Sequence, residues 1–262
     1  MVVGKIKYFI LVSYVVFILS SCNRESIEVQ GVQDSLRIIL PLYSFPTDMH
    51  GEIWRTVAMV GDSVPIIVIW GINDTNDVGI YREYLSLLSK AKYIRLVSYV
   101  ATANGTRPIE EVLQKIDYYV SNFNISGIFL DEVNNSEATL SYYKRIISYI
   151  HSFPDIHLVI LNSSYATLDF ITNTGADIVV IFEDDVSEWK HFNKQEYMQI
   201  SPKYKAVIIN NVWFRYRMKK LIEQAAKYKI GNVYISDREY DKLPSYWNDE
   251  VNIVHQINKN LN

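Results

Sequence analysis

Eight short apolar, β-branched runs set the limits on what this chain can fold into. They lie at Arg37–Leu42, Pro65–Trp70, Ile94–Val100, Ile125–Leu130, His157–Leu161, Ile178–Phe182, Ala206–Ile209 and Asn232–Ile235. Each has the length of one strand, and apolar runs of this length bounded by turn residues read as buried strands. Most of the gaps hold a stretch of helical character. In Glu110–Val120 the residues Val112, Leu113, Ile116 and Val120 share one face, the period of an amphipathic helix. Tyr142–Ile150 and Phe214–Tyr228 behave in the same way, and Glu250–Ile257 closes the chain as a last helix. Strand and helix alternating roughly every 30 residues predict parallel βαβ units. Eight units within one domain fit an α/β fold of the (β/α)8 TIM-barrel type. The competing architecture is an open doubly wound sheet. It lacks support here, because no Gly-x-Gly-x-x-Gly loop follows the first run.

The N-terminus reads as a targeting segment. Lys5 and Lys7 give a basic start, and Tyr8–Leu19 is uncharged and apolar. That stretch is too short for a membrane span of about 20 residues and suits a signal-peptide core. Leu19-Ser20-Ser21-Cys22 is similar to a bacterial lipobox, whose cysteine is lipidated after cleavage. The expected organisation is therefore a signal peptide over 1–21, lipidated Cys22 with a polar tether over 22–35, and a barrel over 36–262. Asn23 is not the aspartate associated with inner-membrane retention. The expected location is the bacterial cell envelope, lipid-anchored in the outer membrane, with the protein a monomer. Cleavage leaves 24 basic and 29 acidic residues, net −5. Nucleic-acid binding, which shows as a basic patch or stripe, is not expected. Cys22 is the only cysteine, so disulfides and a cysteine nucleophile are both excluded.

Two of the apolar runs end in acids. Gly127-Ile128-Phe129-Leu130 runs into Asp131-Glu132, and Ile178–Phe182 runs into Glu183-Asp184-Asp185. Carboxylates at the mouth of a buried strand are costly to desolvate without partners or a task. In a barrel the C-terminal strand ends carry the active site. The residues expected on that rim are Tyr43, Trp70, Tyr99, Thr102, Asp131, Glu132, Asn162, Glu183, Asn210 and Asp237. Acids, amides and aromatic rings together suit a carbohydrate, whose apolar face stacks on a ring while its hydroxyls meet polar groups. For Asp131-Glu132 the alternative is a strand-end pair that caps a helix or ion-pairs. Asp184 and Asp185 read as loop-solvating residues. The histidines show no metal-ligand spacing, and Asp74-Thr75-Asn76-Asp77 lacks the distal Glu and the Gly of a calcium loop. No metal and no cofactor are expected.

With those residues in place, the chain resembles the spherulin-4-like proteins, a group related to endo-acting α-1,4-galactosaminidases. The matching stretches are Leu40-Pro41-Leu42-Tyr43, Val97–Thr102, Gly127–Glu132, Phe182-Glu183, Val233–Asp237 and Leu243–Trp247, in the expected order along the domain. The resemblance implies a (β/α)8 barrel that cleaves a galactosamine-type polysaccharide, with Asp131, Glu132 and Glu183 aligned with the family's active-site acids. By that reading Asp131 is nucleophile or oxocarbenium stabiliser and Glu183 the general acid, with exchange of roles among the three left open. The loop after the second strand departs from the family, which carries an Asn-Pro and glycine-rich run where this chain has Gly71–Asp77. The identity of the sugar stays open on that account. A second function also stays open, a surface glycan-binding lipoprotein that turns nothing over.

Overall fold

The computed structural model describes residues 35–46, 51–71 and 78–261. The leader over 1–21, Cys22, all but the last residue of the tether and the loop Ile72–Asp77 lie outside the described residues. Eight parallel strands close on themselves in chain order. They are β1 (Arg37–Pro41), β2 (Ile66–Trp70), β3 (Ile94–Ala101), β4 (Gly127–Asp131), β5 (Leu158–Asn162), β6 (Ile178–Asp185), β7 (Lys205–Asn210) and β8 (Asn232–Ile235). Pairing of Arg37 with Asn232 and of Ile38 with Val233 completes the ring. A helix follows each strand: α1 (Gly51–Val60), α2 (Val78–Ser89), α3 (Ile109–Asn122), α4 (Glu137–Ile150), α5 (Leu168–Thr174), α6 (Val186–Trp189), α7 (Arg215–Lys227) and α8 (Trp247–Leu261). The expected (β/α)8 barrel is thus the observed fold. No helix among the described residues is long and apolar enough to cross a membrane.

Because side chains alternate across a strand, the register assigns each residue to the barrel interior or to the helix layer. Tyr99 pairs with Phe129 and Ala101 with Asp131, and the Tyr99 and Phe129 rings stack at 6.3 Å. These residues face inward. Trp70 pairs with Ser98 one step out of phase and faces the helices. Gly127 sits where β4 and β5 approach closely. A Cβ built there would stand 2.1 Å from the Leu158 carbonyl oxygen and 2.7 Å from Leu158 Cβ. Backbone cannot give way as a side-chain tip can, so Gly127→Ala is expected to destabilise the barrel by about 1–3 kcal/mol. Urea unfolding of wild type and variant would measure it, and equal midpoints would contradict the close approach.

The alternation breaks once. Val180 pairs with Ala206, but Phe182 pairs with Val207, so β6 carries an extra residue against β7. This β-bulge changes which face the following side chains take. Val180 and Ala206 are in phase, as are Glu183 and Ile208, although the former pair differs from the latter by three positions on β6 and two on β7. Without the extra residue, Phe182 would enter the barrel and Glu183 would point at the helices. With it, Phe182 packs outward on Trp189 and Phe192 at 5.1 and 5.0 Å, and Glu183 enters the barrel mouth. β6 also outruns its apolar stretch. Glu183, Asp184 and Asp185 continue the ladder against Ile208, Ile209 and Asn210, because pairing follows the backbone after hydrophobicity has ended.

Two buried ionisable groups serve the frame. Lys205 Nζ donates to the Tyr197 carbonyl at 2.7 Å, and burial pushes its ammonium pKa down to about 8. Glu250 on α8 accepts the Ile235 N–H at 3.0 Å, which fastens the end of β8, and burial pushes its carboxyl up to about 8.

Candidate active site

The C-terminal ends of β3 to β7 converge on one hydrogen-bonded cluster, which the connection after β8 joins. Asn162, the last residue of β5, stands at its centre. Its Nδ2 donates to Asp131 Oδ1 at 2.7 Å and also to Glu183 Oε2. Two carboxylate oxygens on one nitrogen can be no farther apart than two hydrogen-bond lengths, roughly 6 Å. The other Glu183 oxygen accepts the Tyr240 hydroxyl at 2.5 Å, and Asn210 Nδ2 donates to that hydroxyl at 2.9 Å. Ser164 Oγ fixes the main chain at the same place, since it accepts the Glu183 N–H at 3.2 Å and donates to the Glu183 carbonyl at 3.1 Å.

Burial is the largest cause that raises the Glu183 carboxyl above the usual carboxylate range. The charges of Asp131 and Asp184 push the same way, and the hydrogen bonds from Tyr240 and Asn162 hold it partly back. Tyrosines cover the pair. Tyr43 packs edge-on against Tyr99 at 5.7 Å and against Tyr240 at 5.9 Å. The Tyr43 and Tyr99 phenols are both raised, first by burial and then by the Asp131 charge, and Tyr99 also hydrogen-bonds the Asp131 carboxylate. Both phenols stay protonated, and the Tyr99 donor is committed to Asp131.

The turns that aim these groups are strained. Ala103, Asn104, Glu132, Tyr165 and Asn211 all have positive φ, between 48° and 63°, and each lies just past the end of β3, β4, β5 or β7. Left-handed backbone at residues with a Cβ costs on the order of 1–3 kcal/mol each and collects where surrounding structure fixes it.

Of the residues expected on the rim, Asp131, Asn162, Glu183, Tyr43, Tyr99 and Asn210 come together. The other four do not join them. Trp70 is fully buried in the helix layer, against Phe123 at 4.9 Å and Tyr119 at 5.5 Å, because its register points it outward. It is core and not a substrate platform. Thr102 is also fully buried. Its hydroxyl binds the carbonyls of Asp131 and Glu132 at 2.8 and 2.9 Å and the Tyr143 hydroxyl at 3.1 Å, so it positions the β4 exit. Asp237 is spent on the loop after β8, where it accepts the Ser245 N–H and hydroxyl at 2.9 and 2.5 Å. Glu132 is exposed, and its carboxylate turns back to the Ala103 N–H at 3.0 Å, outside the Asn162 cluster. Asp184 and Asp185 bind the Tyr165 hydroxyl and the Asn211 side chain, both at the loop margin.

Tyr240 belongs to the cluster and is absent from the rim expected from sequence. It lies within the connection from β8 to α8, well past the strand end. The available signal was that connection's length on the face where the strands end, since long loops there carry function. Among the described residues no group of His, Cys, Asp and Glu is arranged to hold a metal ion.

A family model described as spherulation-specific family 4 matches residues 37–254. Spherulin-4 of Physarum polycephalum is 29% identical over 245 residues, which cover 86% of this chain and 72% of that protein. Among solved structures, Aspergillus clavatus Sph3 in complex with GalNAc superposes with a TM-score of 0.74 at 19% identity, covering 85% of this chain and 98% of that one. Phosphoribosyl anthranilate isomerase of Thermus thermophilus matches with a TM-score of 0.53 at 8% identity, covering 85% and 99%, a likeness of barrel alone.

Proposed function

This chain belongs to spherulation-specific family 4, and from that premise we propose that it is a glycoside hydrolase acting on a polymer of the N-acetylgalactosamine type. The observation that carries the proposal is the single Asn162 amide that holds Asp131 and Glu183 together. Glycosidic cleavage needs two carboxyl groups flanking the bond, one as acid and one as nucleophile or base. Burial favours the protonated form of Glu183, which suits it as general acid. Asp131 then attacks the anomeric carbon as the Glu183 proton passes to the leaving oxygen. Water, deprotonated by the Glu183 carboxylate, displaces Asp131 in the second step. A spacing of roughly 6 Å at most is closer to the 5–5.5 Å of retaining enzymes than to the wider gap that admits water in inverting ones.

The cap of Tyr43, Tyr99 and Tyr240 supports a sugar ligand, since aromatic faces take the apolar side of a pyranose and phenols donate to its hydroxyls. The GalNAc bound to the A. clavatus relative makes the amino-sugar polymer the first substrate to test. We further propose that the enzyme is held by lipid at Cys22 in a bacterial envelope, as the Leu19-Ser20-Ser21-Cys22 run suggests. Globomycin-sensitive processing of the precursor would test that anchor.

Reducing-end release from galactosamine-, glucosamine- and galactose-containing polymers tests the activity. Cleavage of the galactosamine polymer is expected, and NMR should find the α-anomer as the first-formed product. Binding without release on every polymer would overturn the hydrolase in favour of a glycan-binding protein. A β-anomer formed first would overturn retention.

A further inference from the structure

Away from the acid pair, an open groove of about 520 Å³ runs between α6 and α7 on the outer wall of the barrel. Lys190, Lys194, Arg217, Lys220 and Lys227 line it, and no carboxylate does. Such a concentration of cations is unexpected on a domain whose overall balance is acidic. Among the described residues, none of the five enters an ion pair, whereas the nearby Arg215 and Lys219 pair with Asp249 and Glu223. Lys194 is partly committed to the frame, because its ammonium donates to the carbonyls of Trp189 and Phe192 and lies over the Trp189 ring. The others are exposed at the groove.

Their order along α7 gives the ligand a shape. Arg217, Lys220, Gln224 and Lys227 follow at i, i+3, i+7 and i+10, which places them in one row on the helix surface. The row recurs about once per 5.4 Å turn, a spacing close to one pyranose unit of an extended chain. At its upper end Tyr216 is exposed, stacks on Phe214 at 5.9 Å and carries the Lys220 ammonium 5.9 Å from its ring centroid, next to exposed Trp213, on the face where the strands end. Unpaired cations that repel one another are relieved by an anion, and exposed rings beside them take the face of a sugar.

We propose that the groove between α6 and α7 binds a segment of acidic polysaccharide, with its anionic groups on Arg217, Lys220 and Lys227 and a sugar face on Tyr216. This site is independent of the reaction at Asp131 and Glu183, and its occupant carries carboxylate, sulfate or phosphate groups. Calorimetric titration of the full-length mature protein tests it, with oligogalacturonate and heparin-derived oligosaccharide as probes, a neutral dextran oligomer as control and phosphatidylglycerol vesicles as the rival surface. Binding of at least one acidic oligosaccharide, weakening with salt, is expected. The R217E/K220E double variant should weaken it about tenfold or more, since each lost ion pair is replaced by repulsion. Tyr216→Ala should weaken it as well, while Glu183→Gln should leave it unchanged. All three changed groove residues are exposed, and circular dichroism would verify the fold. Absence of binding at low salt, or equal binding by wild type and R217E/K220E, would overturn the site. Vesicle binding that the double variant abolishes, without any oligosaccharide binding, would overturn the ligand class.

Discussion

Glu183→Gln is expected to lower kcat on the galactosamine polymer by about 10²–10⁴-fold, the contribution typical of a positioned general acid. Glutamine keeps the shape and one of the two acceptor oxygens, so one of the bonds from Tyr240 and Asn162 must rearrange, and it has no acidic proton to give to the leaving oxygen. Asp131→Asn should cost at least as much, because it removes the group proposed to meet the anomeric carbon. The pH profile separates a chemical role from a merely structural one. A general acid works only while protonated, so wild-type kcat should fall as pH rises through the elevated Glu183 pKa. That alkaline limb should vanish from whatever activity Glu183→Gln retains. Tyr240 helps hold the Glu183 pKa down, so Tyr240→Phe should move the limb to higher pH. An unchanged limb in both variants would remove Glu183 from the acid role. Normal turnover by Glu183→Gln and Asp131→Asn alike would remove the pair from the reaction.

Trp70→Ala should act on stability and spare catalysis. The indole is wholly buried between β2 and the helices, with Tyr81, Tyr119 and Phe123 around it. Truncating a large aromatic in such a place costs about 3–5 kcal/mol through lost burial and the cavity left behind. Turnover by the protein that remains folded should stay within about twofold of wild type, since no Trp70 atom reaches the cleft. Chemical denaturation alongside steady-state kinetics makes the comparison. A variant of wild-type stability with impaired substrate binding would restore Trp70 to the site and contradict the register that points it outward.

The fold was legible because burial on both faces writes itself as unbroken apolar runs, and eight such runs in one domain leave few closed arrangements. The helices with a clear apolar stripe, such as α3 with Val112 and Ile116 inward, were equally plain. Short α6 carries no period to read, although it lines the groove. At the site, acids that interrupt an apolar run announced themselves, and so Asp131 and Glu183 stood out. Facing direction was not legible for Trp70, because a strand buried on both sides looks the same from either face. Thr102 and Asp237 sit at the expected strand ends with hydrogen-bonding capacity already used by neighbours, which only the three-dimensional arrangement reveals. Tyr240 escaped because it arrives from a loop, at a distance that no strand-end count reaches.

The extra residue in β6 has a consequence for how kinship in this fold can be judged. The direction of Glu183 depends on how many residues precede it in the strand as much as on its being glutamate. A relative with the same Phe-Glu pair and one residue fewer before it would align almost perfectly and yet present phenylalanine to the cleft and bury the acid among helices. Competence at this position is a matter of parity, and the location of a single gap is chemically more informative than the percentage of letters that agree.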